Sequence, residues 1–118
     1  MTLSTEDQVR DYAKEILGFD EAEENVDQGT GQITTFNQLG FKGYSDKPDG
    51  WYLPKNMNDV AIILETKSEE RDISKQIFID ELIKNIDIIS SKYKKTIGIL
   101  YNGKEIAIYK NKELIRVA

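Results

Sequence analysis

Two short aliphatic runs on either side of a helical repeat constrain this chain more than any other feature. Residues 59–65, D-V-A-I-I-L-E, are too few for a helix and too continuously apolar for a half-exposed edge strand. They are expected to form a strand buried on both faces, central in its sheet. Residues 96–101, T-I-G-I-L-Y, repeat the pattern. Between them Phe78, Leu82, Ile86, Ile89 and Tyr93 recur at helical spacing, supported by Ile79 and Ile83, and predict a long helix over residues 73–93. Strand, helix and strand in that order imply a right-handed crossover between parallel neighbours.

The flanking segments fill in the rest. Thr5 and Gln8 have the spacing of a capping box, Val9, Ala13, Ile16 and Leu17 share one helical face, and Gly18 is a stop signal. Residues 20–32 are acidic and glycine-containing and read as a loop. Residues 33–44 read either as a strand at 33–36 or as a short helix about 36–39, with the strand favoured. Residues 50–53 predict a short strand and residues 54–58 a turn. Asn102-Gly103 predicts a tight hairpin with positive φ at both positions, a return strand over residues 104–109, a turn at Asn111-Lys112 and a last strand over 113–117. The fold class expected is α/β of an α+β-like kind: one domain over residues 1–118 with a mixed central β-sheet flanked by helices. The chain stops at E-L-I-R-V-A with no tail, which makes it a candidate segment of a longer polypeptide.

Composition matters mainly through what is missing. The 118 residues include no Cys and no His. Disulfides, thiolate or imidazole metal sites, a cysteine nucleophile and a histidine base are therefore excluded. Hydrolytic chemistry here must use carboxylates, Lys, Tyr, hydroxyls or a hard cation held by oxygen. The start of the chain shows no basic segment followed by an apolar stretch, and no apolar run approaches a membrane span; a cytoplasmic location is expected. The net charge of −5 argues at first sight against a polyanionic ligand. Its distribution softens that: residues 1–27 hold nine acidic and two basic side chains, net −7, and residues 28–118 hold twelve and fourteen, net +2. A local Lys92-Tyr93-Lys94-Lys95 cluster contributes to the basic remainder.

The central strand ends in Glu65-Thr66-Lys67, a carboxylate and an amine where burial penalises both. Glu65 and Lys67, two residues apart, point to the same side of a strand. Asp49, in the turn Pro48-Asp49-Gly50, lies beside them if residues 50–53 and 59–67 form a hairpin. Two carboxylates and a main-chain carbonyl make a site for a hard divalent cation. Such an ion acidifies water and stabilises charge on a phosphoryl oxygen. Lys67 is then placed to orient or deprotonate that water, or to balance the developing charge. Each motif alone has a plainer reading, a turn for P-D-G and a surface ion pair for E-x-K. Their order along the chain is what points to chemistry.

In that order the chain resembles the PD-(D/E)xK nuclease superfamily, with Pro48-Asp49 as the first half-motif and Glu65-Thr66-Lys67 as the second, separated by fifteen residues. It is most similar to the nuclease domain near the N-terminus of type I restriction enzyme R subunits, in which an E-x-K strand precedes a helix carrying a Gln and an N-G-K-E hairpin leads to a Tyr-bearing strand. Here these are Gln76 and residues 102–109. The resemblance implies a restriction-endonuclease-like αβββαβ core plus a C-terminal hairpin. It further implies Mg²⁺ (Mn²⁺ as a substitute) held by Asp49, Glu65 and the Thr66 carbonyl, with Lys67 as catalytic lysine and Gln76 lining the site. A first-helix acid near the metal is implied too: Glu6, or Glu15 as the alternative. Some relatives carry Gln-x-x-x-Tyr on this helix; here Asp80 takes the Tyr position.

The implied activity is endonucleolytic cleavage of phosphodiester bonds, of DNA by preference, in a restriction or defence system with further domains or subunits as partners. Other classes stay open: an inactive nucleic-acid-binding module on the same fold, a partner-binding subunit, or an acidic mimic of nucleic acid. Trp51, Tyr52, Phe41 and Tyr44 are candidates for base stacking, with core filling expected for Trp51 and Tyr52.

Overall fold

A computed structural model describes residues 3–19, 21 and 23–118. The elements run α1 (Glu6–Leu17), β1 (Val26–Thr30), β2 (Gly50–Pro54), β3 (Ala61–Thr66), α2 (Gln76–Ile89), β4 (Thr96–Tyr101), β5 (Ile106–Lys110) and β6 (Glu113–Val117). All six strands form one sheet in chain order. Only β3 and β4 are parallel; the other neighbours are antiparallel. A single parallel crossover makes this a mixed-sheet α+β fold rather than α/β in the strict sense.

β3 and β4 form where the aliphatic runs lie, and their continuity has the expected cause: Ile63, Leu64 and Leu100 are fully buried. One sheet face packs on α2 through Trp51, Leu53, Ala61, Ile63, Leu82, Ile86, Ile89 and Leu100. The other packs on α1 and its exit through Ala13, Phe19, Leu64 and Ile99. Each Leu or Ile buried completely in this way contributes roughly 1.5–3 kcal/mol. Gly98 sits directly beneath α2, where a Cβ would collide with Ile86. The missing side chain lets the helix approach the strands closely.

The capping box forms as expected: the Thr5 N–H donates to Gln8 Oε1 (2.9 Å) and the Gln8 N–H to Thr5 Oγ1 (3.3 Å). Gly18 closes α1 in the left-handed region at φ 68°. Val9 and Ala13 are buried, whereas Ile16 is exposed, so the contact face of α1 is narrower than its apolar pattern.

Several expectations fail for physical reasons. Within residues 20–32 the structure forms β1 in place of a loop, with Asp20 and Ala22 lying outside the described residues. β1 lacks apolar alternation. It is held by pairing to β2, where Gly29 stands opposite Trp51 and the indole N–H donates to Asp27 Oδ1 at 3.2 Å. Residues 33–36 form no strand. The Leu39 N–H returns to the carbonyls of Thr35 and Phe36, so the helical alternative is the nearer one, and Phe36 and Phe41 plug the core from a loop, edge to face.

α2 starts at Gln76 because Asp72 first accepts from Ser74 in a turn, although Ile73 and Tyr93 are both in the core. The Asn102-Gly103 turn has positive φ only at Gly103. Asn102 is fully buried and its Oδ1 accepts from the Lys104 and Glu105 N–H groups, which delays the return strand to Ile106. No helix among the described residues is long and apolar enough to cross a membrane.

Candidate active site

The antiparallel register of β2 and β3 builds the site. Gly50 pairs with Leu64 and Trp51 with Ile63, and Asp49 and Glu65 are the next residues beyond the end of that pairing. Directly opposed residues on one face lie a few ångströms apart, and like charges there are destabilising. Asp49 and Glu65 are both buried, and the charge of Asp49 acts on the Glu65 carboxyl. Burial first, and the Asp49 charge second, push Glu65 well above the usual carboxylate range.

Each carboxylate is also held from outside the pair. Asp49 Oδ2 accepts from the Thr66 N–H (2.7 Å) and from Thr66 Oγ1 (3.1 Å). Glu65 Oε1 accepts from the Asn85 amide of α2.

Lys67 shares the α2 face with Glu65, as the two-residue spacing requires. Its Nζ bonds Glu81 at 2.9 Å and lies 4.9 Å from the centroid of Phe78. Burial pulls the ammonium down, but the Glu81 hydrogen bond and charge, with Glu65 and Glu6 behind them, outweigh it and leave Lys67 above the usual lysine range. The start of α1 is fastened over this strand end: the Ser4 N–H donates to Glu69 Oε2 (2.8 Å) and the Glu69 N–H to the Ser4 carbonyl (2.9 Å).

That clamp brings Glu6 in. Its carboxyl is raised by burial and by the Asp49 charge, against the pull of Lys67 and Arg10. Glu15 is exposed further along the helix. Among the described residues no group of three or more Asp, Glu, His or Cys converges on a metal position, so Glu6 borders the Asp49–Glu65 pair rather than completing a triad.

The structure therefore brings together Asp49, Glu65, Thr66 and Lys67, with Glu6 at the margin. Gln76 is exposed in the first turn of α2 with its amide on Asp80 (2.7 Å), and it is not brought in. Trp51 and Phe41 are core, Tyr52 stacks on Phe19, and Tyr44 is exposed. The Lys92–Lys95 cluster lies at the opposite end of β3, where the Lys95 carbonyl accepts from the Ala61 N–H.

Three contributors carry no motif. Glu81 holds Lys67, Asn85 holds Glu65, and Arg10 from α1 sits 3.6 Å from Asp49 Oδ1 through its Nε. Asn85 had one readable signal, a polar side chain three residues from Leu82 and four from Ile89 on an otherwise apolar stripe. Comparison with protein-family models, curated proteins and solved structures gave no match to this chain.

Proposed function

We propose that this chain is a metal-dependent nuclease domain hydrolysing phosphodiester bonds, of DNA by preference, on a restriction-endonuclease-like core and in a restriction or defence setting. The observation that carries the reading is that Asp49 and Glu65 meet just beyond the end of the β2–β3 pairing, with the Lys67 ammonium on the side of Glu65. With no His or Cys in the chain, hydrolysis has to run on these groups and a hard cation.

The donor set suits Mg²⁺, with Mn²⁺ as a substitute: two carboxylates whose mutual repulsion a cation relieves, and the Thr66 carbonyl next in the chain to Glu65. Bound there, the ion supplies acidified water and neutralises charge on a phosphoryl oxygen. Asp49 and Glu65 bind it, and Glu6 stands at its edge. Lys67, kept protonated by Glu81, Glu65 and Glu6, orients the attacking water or meets charge developing on the phosphate. Its raised pKa disfavours the alternative of Lys67 as the base. A binding module without chemistry has no use for two opposed buried carboxylates, because their repulsion destabilises the ion-free fold.

The test is nicking of supercoiled DNA with and without Mg²⁺ or Mn²⁺, by wild type and by Glu65→Ala and Asp49→Ala of unchanged circular dichroism. Cleavage is expected only with the ion and should drop about a hundredfold or more in either variant. Wild type that cleaves neither DNA nor RNA with any divalent ion, or a Glu65→Ala variant as active as wild type, overturns the proposal.

A further inference from the structure

We propose that Arg10 is the positioning residue of the carboxylate pair and acts as its built-in second cation, so that the site takes one divalent ion rather than two. This rests on the metal-dependent reading above and specifies it.

Arg10 is 6% exposed, and its Nε is buried without a hydrogen-bond partner among the described residues. A buried charged donor with no acceptor is costly, and such groups are rare in folded proteins. The guanidinium is nevertheless held in place, because Nη1 donates to Asp7 Oδ1 at 2.9 Å. This leaves Nε facing Asp49 Oδ1 at 3.6 Å, close enough for strong attraction and too long for a hydrogen bond.

The two oxygens of Asp49 are thereby divided. Oδ2 is committed to Thr66, and Oδ1 remains available, with Arg10 beside it. Arg10 thus fixes which carboxylate oxygen is presented and occupies the ground a second ion would need.

Arg10 brings a fixed charge to this ground: its Nη1 bonds Asp7 and its Nε faces Asp49. A second divalent ion at Asp49 would stand close to the guanidinium, in a setting that screens poorly. Replacing Arg10 with a neutral side chain removes that repulsion.

Mn²⁺ titration followed by calorimetry, with electron paramagnetic resonance of the bound ion, tests this on the full chain. Wild type and Arg10→Lys are expected to bind one Mn²⁺ per chain. Arg10→Met, folded by circular dichroism, is expected to bind two, with the spin-coupled signature of a close pair. One ion in Arg10→Met overturns the inference and leaves the nuclease reading standing. Two ions in wild type overturn it without recourse to any variant. No binding in wild type, or binding unchanged in Asp49→Ala, removes the metal site itself and this inference with it.

Discussion

Glu65 is 3% exposed and faces a second carboxylate, so its charged form is disfavoured twice in the ion-free chain. The consequence for stability has a definite sign. Below the ordinary value of 4.5 both folded and unfolded chains hold the proton, and the stability it confers is complete. Above 4.5 only the folded state keeps it, so stability falls as pH rises and is fully lost above the raised folded value. The melting temperature of wild type relative to Glu65→Gln, measured without divalent ions, is therefore expected to fall as pH climbs through this window. Saturating Mg²⁺ should abolish the trend. A difference that is flat or rises with pH would show that Glu65 is not strained by its neighbours.

Lys67 obeys the opposite balance. Glu81→Gln removes its strongest attraction and leaves burial in place, so the Lys67 ammonium should titrate at lower pH in a nitrogen-15 NMR experiment. An unchanged titration would mean that Glu81 does not hold it. Asp49, Glu65 and Lys67 are legible in the sequence because two strand ends carry them and strand register is local. Arg10, Glu81 and Asn85 are not, because their partners depend on how two helices dock. Gln76 has the right place at the start of the helix, but the face of α2 that meets β3 carries Glu81 and Asn85, four residues apart.

At the scale of elements, the approach of α2 to the sheet decides whether those helix residues reach the site. Gly98→Val puts a branched side chain where even a Cβ meets Ile86. The helix must shift outward, at a cost of about 1–3 kcal/mol. A lower melting temperature accompanied by weaker Mn²⁺ binding is expected, since Asn85 moves with the helix; full stability would show that the gap is wider than the close approach implies. Thr5→Ala removes one side of the capping box and should cost about 1 kcal/mol in chemical denaturation. The same scale explains the uneven legibility of the fold. β3 and β4 declare themselves because burial on both faces demands unbroken aliphatics. β1 does not, because V-D-Q-G-T is a strand only by virtue of its partner, and the phenylalanines of residues 33–44 are buried by a loop.

Over the whole molecule, charge and site are arranged in a way that governs how a polyanion can approach. The Lys92–Lys95 cluster sits at the far end of β3, about 15 Å from Glu65 at roughly 3.3 Å per strand residue. At the site end, Arg71, Lys75 and Lys104 lie on the segments around the strand termini, but Glu6, Asp7, Glu69, Glu70 and Glu81 lie there too, beside the carboxylate pair. DNA brought to this end without a cation meets net negative potential. It is expected to bind weakly in EDTA, and at least about tenfold more tightly, or 1.4 kcal/mol, with Ca²⁺, a hard ion that occupies oxygen sites. If an ion held by Asp49 and Glu65 supplies the gain, as proposed, Asp49→Ala should lose it. Lys94→Glu with Lys95→Glu, at the other end, should leave it intact. Removing Lys75 and Lys104 should weaken binding and lower the slope of affinity against salt by about one for each phosphate no longer neutralised. Fluorescence anisotropy with a labelled duplex separates these cases. Tight binding in EDTA, or a Ca²⁺ effect that survives Asp49→Ala, would place the nucleic-acid surface away from the strand ends and detach it from the carboxylates.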